Sequence, residues 1–240
     1  TFLNRAFDQL LMDVGLIGQP VTLVLDRAGV TGSDGASHNG VWDMAIASIV
    51  PGIRIAAPRD TSRLREEFAE AIAVDDGPTV VRFPKGAAGP DIDAVERLEG
   101  GVDVLARPGE GESEDFNVLI VAVGAFAQYA LDVAAAVRAD GIRATVVDPR
   151  WVIPVSPSVI DEAAQADLVV VYEDGVVRGG VGSAVTEAVA AAELDVPVRH
   201  LAFPDVFPLH ASRTEILEQY GLDPVSAAAQ VREWARSLAD

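Results

Sequence analysis

From residue 117 onward, short runs of β-branched apolar residues alternate with longer amphipathic segments. The runs at 117–123 and 168–172 have the length of buried strands, and residues 127–138 between them carry apolar side chains at helical spacing. Strands that are apolar on both faces and separated by helices are typical of mostly parallel sheets covered by helices. The pattern therefore predicts an α/β fold.

The same alternation runs through the first 90 residues, with strands predicted at 21–25, 53–56 and 79–83. Residues 91–116 differ, because they are rich in glycine, proline and acidic residues and contain only one short apolar run. We interpret them as a connector between domains with one edge strand. The sequence thus predicts two successive α/β domains, residues 1–90 and 117–240, joined by a connector at 91–116.

A helix is predicted after the second strand. Asp60 is a typical N-cap residue, and Leu64, Phe68 and Ile72 follow it at a spacing that places them on one helical face. We expect this face to pack against the first sheet.

The charge balance excludes several functional classes. The chain has 37 acidic and 18 basic residues, a formal net charge of −19. This excess of negative charge disfavours binding to nucleic acid and to anionic membranes, because both depend on Lys and Arg. No apolar run reaches the roughly 18–20 residues of a membrane-spanning helix. The absence of cysteine excludes a disulfide scaffold and a thiolate nucleophile, which is typical of a cytoplasmic protein.

A glycine-rich loop at residues 26–40 directly follows the first predicted strand. In open α/β sheets, ligands bind beyond the carboxyl ends of the strands, and glycines let the backbone approach a ligand closely. Arg27 offers a planar fork for a phosphate or carboxylate, Asp34 offers acceptors, and His38 can titrate near neutral pH. The alternative is a loop that packs on itself, with Arg27 ion-paired and His38 hydrogen-bonded.

Two cations flank the turn after the third strand. Arg82 and Lys85, which is the only lysine, are separated by Phe83 and Pro84. They are either a surface pair at a turn or a second cationic contact for the anion that Arg27 would hold.

The remaining polar motifs favour structural roles. His200 lies in a predicted strand and His210 in a loop rich in proline and aromatic residues. Three widely spaced histidines without cysteine give no zinc-ligand spacing, so no metal ligand is predicted in this chain. Glycines at 179–182 precede a helix, where they indicate a tight turn or, alternatively, an anion site at the helix N-terminus.

Several segments, taken in order, resemble the 1-deoxy-D-xylulose-5-phosphate synthases, which are thiamine-diphosphate-dependent relatives of transketolase. The resemblance covers essentially the whole chain. A D-G-x-x-H element is shared with transketolases, whereas the opening segment together with D-R-A-G is more specific to the synthases. The matching segments are 1–9 (TFLNRAFDQ), 26–29 (DRAG), 32–38 (GSDGASH), 82–86 (RFPKG), 148–152 (DPRWV) and 179–183 (GGVGS).

The resemblance implies the condensation of pyruvate with D-glyceraldehyde 3-phosphate to 1-deoxy-D-xylulose 5-phosphate and CO2, the first step of non-mevalonate isoprenoid synthesis. The product also feeds thiamine synthesis. By the family pattern, Arg27 and Lys85 hold the phosphate of the aldehyde, while Asp34 and His38 line the substrate pocket and assist proton transfer. Many members carry arginine at the position of Lys85, so that here a point charge replaces a fork.

The resemblance also implies thiamine diphosphate and Mg²⁺ as cofactors, in a cytoplasmic homodimer. Phe2 and Arg5 would lie near the aminopyrimidine ring of the cofactor. The G-D-G…N motif that holds the diphosphate and magnesium in this family is not found in the sequence, nor is the glutamate that activates the aminopyrimidine.

These departures lead us to expect the C-terminal portion of a longer or multi-chain transferase. Such a portion would be inactive alone and would need the N-terminal part of the enzyme. Two alternatives stay open. One is another transketolase-like subunit or a 2-oxo-acid dehydrogenase β-type subunit; the other is a non-catalytic dimerisation module.

Overall fold

The computed structural model describes residues 2–109 and 116–239. Strands in these ranges are β1 (Thr22–Leu25), β2 (Arg54–Ala56), β3 (Thr79–Arg82), β4 (Glu96–Arg97), β5 (Asp103–Ala106), β6 (Asn117–Ala122), β7 (Arg143–Asp148), β8 (Trp151–Ile153), β9 (Leu168–Val176) and β10 (Val198–Phe203). The α-helices are α1 (Phe7–Gln9), α2 (Asp43–Ala47), α3 (Thr61–Ala73), α4 (Ala127–Arg138), α5 (Pro157–Ala163), α6 (Val181–Ala191), α7 (Arg213–Gln219) and α8 (Pro224–Ala239). Phe2–Ala6, Glu99–Gly101 and Gly124–Phe126 form 3₁₀ turns, and Leu10–Gly15 forms a π-helical turn. In the described part of the chain, no helix combines the length and apolarity needed to cross a bilayer.

The strands form two mostly parallel sheets. The first has the order β1-β3-β2-β8, in which only β8 runs antiparallel to its neighbour. The second has the order β10-β9-β6-β7-β5-β4. Strands β10, β9, β6 and β7 are parallel to one another, β5 is antiparallel to β7, and β4 is antiparallel to β5. The predicted α/β fold with mostly parallel sheets flanked by helices is confirmed.

The two sheets exchange strands across the segment predicted as a connector. That segment contributes both β4 and β5 to the second sheet, rather than a single edge strand. Conversely, β8 comes from the second half of the chain and pairs with β2 of the first sheet, with Ile153 opposite Ile55. The part of the predicted connector at 110–115 lies outside the described residues. The two halves are therefore interlocked.

Strand β6 separates two packed layers. Because successive side chains of a strand point to opposite faces, Val118 and Ile120 pack with α4 and α8, while Leu119 and Val121 pack with α5 and α6. The second of these layers also contains Ile55 of the first sheet, so the core continues from one half into the other.

Helix α3 begins as predicted, but its buried face differs from the prediction. Asp60 caps the helix by accepting a hydrogen bond from the backbone N–H of Arg63 at 2.8 Å. Phe68 and Ile72, expected to be buried, are 40% and 61% exposed, and the buried residues are Glu67 and Ala71. Arg150 from the second half packs on this face, with its Nε 3.7 Å from Glu67 and its Nη2 2.5 Å from Glu70, while burial raises the pKa of Glu67, whose two carboxyl oxygens have no hydrogen-bond partner.

A second buried ion cluster joins the start of α3 to the second sheet. Arg59 Nη1 lies 2.6 Å from Asp103 and 2.7 Å from Asp148, and these three side chains are almost fully buried. Burial raises the pKa of Asp148 to about 6, although Arg59 opposes the shift. Burial also favours the protonated form of Asp103, but hydrogen bonds from Arg97 and Arg59 outweigh it and lower the Asp103 pKa. The cluster therefore keeps one arginine between two carboxylates.

We expect Arg59→Met to lower the free energy of unfolding by about 3–5 kcal/mol at pH 7, because it leaves the buried carboxylate of Asp148 without its cation, while Asp103 keeps Arg97. Chemical denaturation measures this loss. The loss should be smaller at pH 5, since protonation of Asp148 relieves the repulsion. Arg54→Met is the control: its ion pair with Asp76 is exposed and its loss should cost less than about 1 kcal/mol. Equal losses in the two variants would contradict the prediction.

Candidate functional site

The glycine-rich loop closes on itself at its base. Gly29 and Gly40 exchange backbone hydrogen bonds, from Gly29 N to Gly40 O at 3.1 Å and from Gly40 N to Gly29 O at 2.7 Å. Gly29 has a φ of +71°, and a Cβ on it would lie 1.9 Å from Asp174 Oδ2. Only glycine therefore fits at this position, and the loop begins and ends in a fixed place beside β1.

A cavity of about 390 Å³ lies between this loop, β1 and the first residues of the chain. One part of its wall is apolar and includes Phe2, Leu3 and Val24. The other part is polar. Its charged and titratable residues are Asp26, Arg27, Asp34, His38 and Asp43. The cavity thus combines a surface suited to an aromatic ring with groups that bind anions and hold protons.

Lys85 reaches this cavity through an ion pair. Its Nζ lies 2.7 Å from Asp34 Oδ2, with both side chains partly exposed. The hydrogen bond from Lys85 is the main cause of a lowered Asp34 pKa. Asp34 and Lys85, two of the four residues that the resemblance placed near a substrate, therefore form an ion pair with each other.

His38 lies across from Phe2 and is exposed. The two rings are in an edge-to-face arrangement with centroids 5.9 Å apart, and His38 Nδ1 lies 3.0 Å from Ser37 Oγ. Contact through Nδ1 leaves Nε2 for a ligand.

Four of the six site residues identified in the sequence line one cavity, and these are Phe2, Arg27, Asp34 and His38. Lys85 is joined to it by Asp34. Arg5 lies on the same 3₁₀ turn as Phe2, but it is exposed and does not line the cavity.

Arg82 is neither a surface residue nor free to bind a ligand, so both expectations for it were wrong. It is 4% exposed, its Nε donates to Asp43 Oδ2 at 2.7 Å, and its Nη2 lies 2.9 Å from Asp174 Oδ1. Its side chain turns into the protein because two carboxylates lie there.

Asp43 is a site residue that sequence analysis missed. It is buried, yet it lines the cavity, and its Oδ1 has no hydrogen-bond partner. Burial raises its pKa, and Arg82 opposes this shift. Its only signal in the sequence is a charge between apolar residues, three positions after Gly40.

The second half of the chain contacts the glycine-rich loop directly. Asn39 is fully buried; its Oδ1 accepts the backbone N–H of Thr31 at 3.0 Å, and its Nδ2 donates to the carbonyl oxygen of Pro208 at 3.0 Å. Arg213 Nη1 donates to the carbonyl oxygen of Val30 at 2.9 Å. No local pattern marks Pro208 or Arg213, because they lie about 170 to 180 positions from their partners.

The glycines before α6 do not offer a free anion site. The carboxylate of Glu173 already accepts the backbone N–H groups of Val181 at 3.0 Å and Gly182 at 2.8 Å. Burial raises the pKa of Glu173 to about 7, against these hydrogen bonds. The tight turn into a helix is confirmed, and the chain's own carboxylate fills the helix N-terminus.

The other histidines lie outside the cavity wall. His200 Nε2 lies 2.9 Å from Thr186 Oγ1, and burial lowers the His200 pKa. His210 is exposed. Within residues 2–109 and 116–239, no group of three or more His, Cys, Asp or Glu side chains has a geometry that could hold a metal ion.

Two family models match the chain. The transketolase pyrimidine-binding domain matches residues 1–90, and the transketolase C-terminal domain matches residues 109–226. Among solved structures, one described as a split gene transketolase, inactive beta4 tetramer, superposes with a TM-score of 0.84 at 29% identity. The match covers 99% of this chain and 74% of that one.

Curated relatives include 1-deoxy-D-xylulose-5-phosphate synthases of three bacteria. The enzyme of Corynebacterium glutamicum (strain R) is 57% identical over 238 residues. Those of Mycobacteroides abscessus and Mycobacterium tuberculosis (strain H37Ra) are 57% and 58% identical over the same length. Each alignment covers 99% of this chain, but only 38%, 37% and 37% of the relatives, in that order. The chain thus spans little more than a third of their length.

We expect Lys85→Ala to raise the pKa of Asp34 toward the ordinary range of an aspartate, because the hydrogen bond from Lys85 favours the ionised carboxylate. Titration of the side-chain carboxyl carbons by NMR measures the shift. Arg178→Ala removes a cation from an exposed pair with Asp205 and serves as the control, which should leave Asp34 unchanged. An Asp34 titration that is the same in all three proteins would show that the pair does not form in solution.

Proposed function

The chain belongs to the transketolase family, and from this premise we propose that it is the C-terminal portion of a 1-deoxy-D-xylulose-5-phosphate synthase. The complete enzyme would condense pyruvate with D-glyceraldehyde 3-phosphate, releasing CO2. The observation that carries the proposal is the cavity that brings Phe2, Arg27, Asp34 and His38 together. Identity of 57% to synthases over 99% of the chain supports the same reaction.

Arg27 and Lys85 would bind the phosphate of the aldehyde. Arg27 lines the cavity and is exposed, so its fork is open to an incoming anion. Lys85 is held by Asp34 at 2.7 Å. A phosphate that reaches Lys85 therefore competes with the carboxylate of Asp34, and binding of the aldehyde would release Asp34 toward the rest of the substrate.

His38 would hold and transfer the proton at the reacting oxygen. Its ring is exposed to the cavity, and the contact of Nδ1 with Ser37 orients Nε2 toward a ligand. An imidazole has two ring nitrogens, of which one can accept and the other donate a proton, so that it can take up and return a proton during one turnover.

The apolar wall fits the aminopyrimidine ring of thiamine diphosphate. Phe2, Leu3 and Val24 provide a surface for one face of an aromatic ring, close to the polar groups. When bound, the cofactor supplies the electron sink that stabilises the carbanion left by decarboxylation. Arg5 stays a predicted cofactor contact, because it is exposed on the same turn as Phe2.

The diphosphate and Mg²⁺ would be held by another part of the enzyme. The relatives are more than twice as long as this chain, which leaves room for those ligands. We infer that activity requires that part, on the same polypeptide or on a separate one. The similarity to a split gene transketolase over 99% of this chain supports the separate arrangement as a second candidate. In either case we propose a cytoplasmic assembly with at least two copies of this chain, which supplies precursors for isoprenoids and thiamine.

In the complete enzyme, we expect Arg27→Ala to raise the KM for glyceraldehyde 3-phosphate about 10- to 150-fold, since it removes a charged hydrogen bond to the phosphate. The KM for pyruvate should change little, because pyruvate carries no phosphate. Steady-state kinetics with each substrate varied in turn measures both constants. Arg178→Ala, at an exposed pair, should leave both unchanged. An equal rise in the two KM values would refute the assignment of Arg27.

His38→Ala should lower kcat about 10²- to 10⁴-fold, which is the usual contribution of a positioned acid–base group. The thermal unfolding temperature should stay within a degree or two of the wild type, because His38 is exposed. His210→Ala replaces an exposed histidine outside the cavity wall and should keep full activity. Loss of folding in His38→Ala would assign this residue a structural role, and an unchanged kcat would exclude it from proton transfer.

A further inference from the structure

Asp174 lies at the point where the second half of the chain meets the glycine-rich loop. Its side chain is 3% exposed. One carboxylate oxygen, Oδ1, lies 2.9 Å from Arg82 Nη2, and the other, Oδ2, lies 3.3 Å from Arg213 Nη2. The same Oδ2 occupies the space where a Cβ of Gly29 would be, at 1.9 Å. The carboxylate is therefore in direct contact with the loop backbone.

Two arms lead from Asp174 to the cavity. Through Arg213, whose Nη1 donates to the carbonyl oxygen of Val30 at 2.9 Å, it holds the first residues of the loop. Through Arg82, which pairs with Asp43 at 2.7 Å, it holds the first residue of α2, just after the loop. Val30 and Asp43, which flank Asp34 and His38, are thus tied to one carboxylate, and Arg27 lies three residues before Val30.

The charges favour an ionised Asp174. Burial alone would favour the protonated acid, but Arg82 and Arg213 outweigh it and lower the Asp174 pKa. An ionised carboxylate between two arginines makes charge-assisted contacts at both of its oxygens, so it connects the two arginines more firmly than a neutral side chain would.

We infer that Asp174 is a positioning residue, through which the C-terminal domain fixes the glycine-rich loop in the conformation that presents Arg27, Asp34 and His38 to the cavity. Asp174 itself does not line the cavity, so it acts through Arg213 and Arg82 and not on the substrate. The inference rests on the proposed function only in treating the loop as part of a substrate site. Whether Asp174 fixes the loop conformation can be measured without any turnover.

The test is hydrogen–deuterium exchange of the full chain, with Asp174→Asn compared with Glu173→Gln. Glu173 is the matched control, since it is the preceding residue of β9, is equally buried and carries a carboxylate, but it bonds the start of α6. In Asp174→Asn, amides of the glycine-rich loop should exchange at least about tenfold faster, while amides of β6 keep their rate. Glu173→Gln should leave the loop amides unchanged and speed exchange at the start of α6.

A second variant keeps the inference testable if Asp174→Asn fails to fold. Arg213→Met removes the donor to Val30 O and leaves the pair of Asp174 with Arg82 in place, and Arg213 is only partly buried. It should also increase loop exchange selectively. The inference is overturned if neither variant changes the loop, or if the loop and β6 change by the same factor.

Kinetics of the complete enzyme separate this inference from the proposed function. Asp174→Asn should lower kcat/KM for glyceraldehyde 3-phosphate at least about tenfold, and Glu173→Gln should lower it much less. Faster loop exchange in a protein whose wild type forms no 1-deoxy-D-xylulose 5-phosphate would refute the function and keep the anchoring. Normal synthesis in Asp174→Asn with unchanged loop exchange would refute the anchoring and keep the function.

Discussion

Two buried arginines, each paired with at least one carboxylate of the second sheet, constrain how the two sheets lie against each other. Arg82 ends a strand of the first sheet and reaches Asp174 on the second, and Arg59 precedes α3 and reaches Asp103 and Asp148. Burying such groups costs desolvation energy, so that they add little net stability. Their effect is on orientation, because a relative shift of the sheets would leave several buried charges unpaired at once.

The cavity brings Arg27 together with three aspartates, Asp26, Asp34 and Asp43, in a strongly acidic protein. A net charge of −19 repels anions at a distance, yet both proposed substrates are anions. Screening at physiological salt limits that repulsion to about 8–10 Å, so contacts within the cavity decide binding. Binding of the substrate phosphate therefore depends on Arg27 and Lys85. The pairing of Lys85 with Asp34 affects this binding, because the carboxylate competes with the phosphate for Lys85. Since most other arginines serve in ion pairs of the scaffold, few cations are left for a ligand in the described part of the chain.

The sequence predicted what depends on local pattern and missed what depends on distant partners. Buried apolar runs located the long strands, and glycine spacing located the loop that carries Arg27, Asp34 and His38. Strand β5 corresponds to the one strand predicted in the connector, but β4 and β8 were missed because they are only two and three residues long, too short for a strand pattern of their own. The buried face of α3 was misassigned because Arg150, some 80 residues further along the chain, packs on the face that carries Glu67. Asp174 lies some 145 residues after Gly29, and no local sequence pattern near either residue predicts their contact.

The pairing of β8 with β2 limits where this chain can be divided into fragments. Truncation after residue 109 would give a first sheet without β8, and β2 would become an open edge. The excised second half would in turn carry β8 with nothing to pair with. Boundaries drawn from family models therefore do not mark separable modules. A variant that is cut between the two halves would therefore lose the pairing of β2 with β8, and any exchange of one half for that of another protein must preserve this pairing.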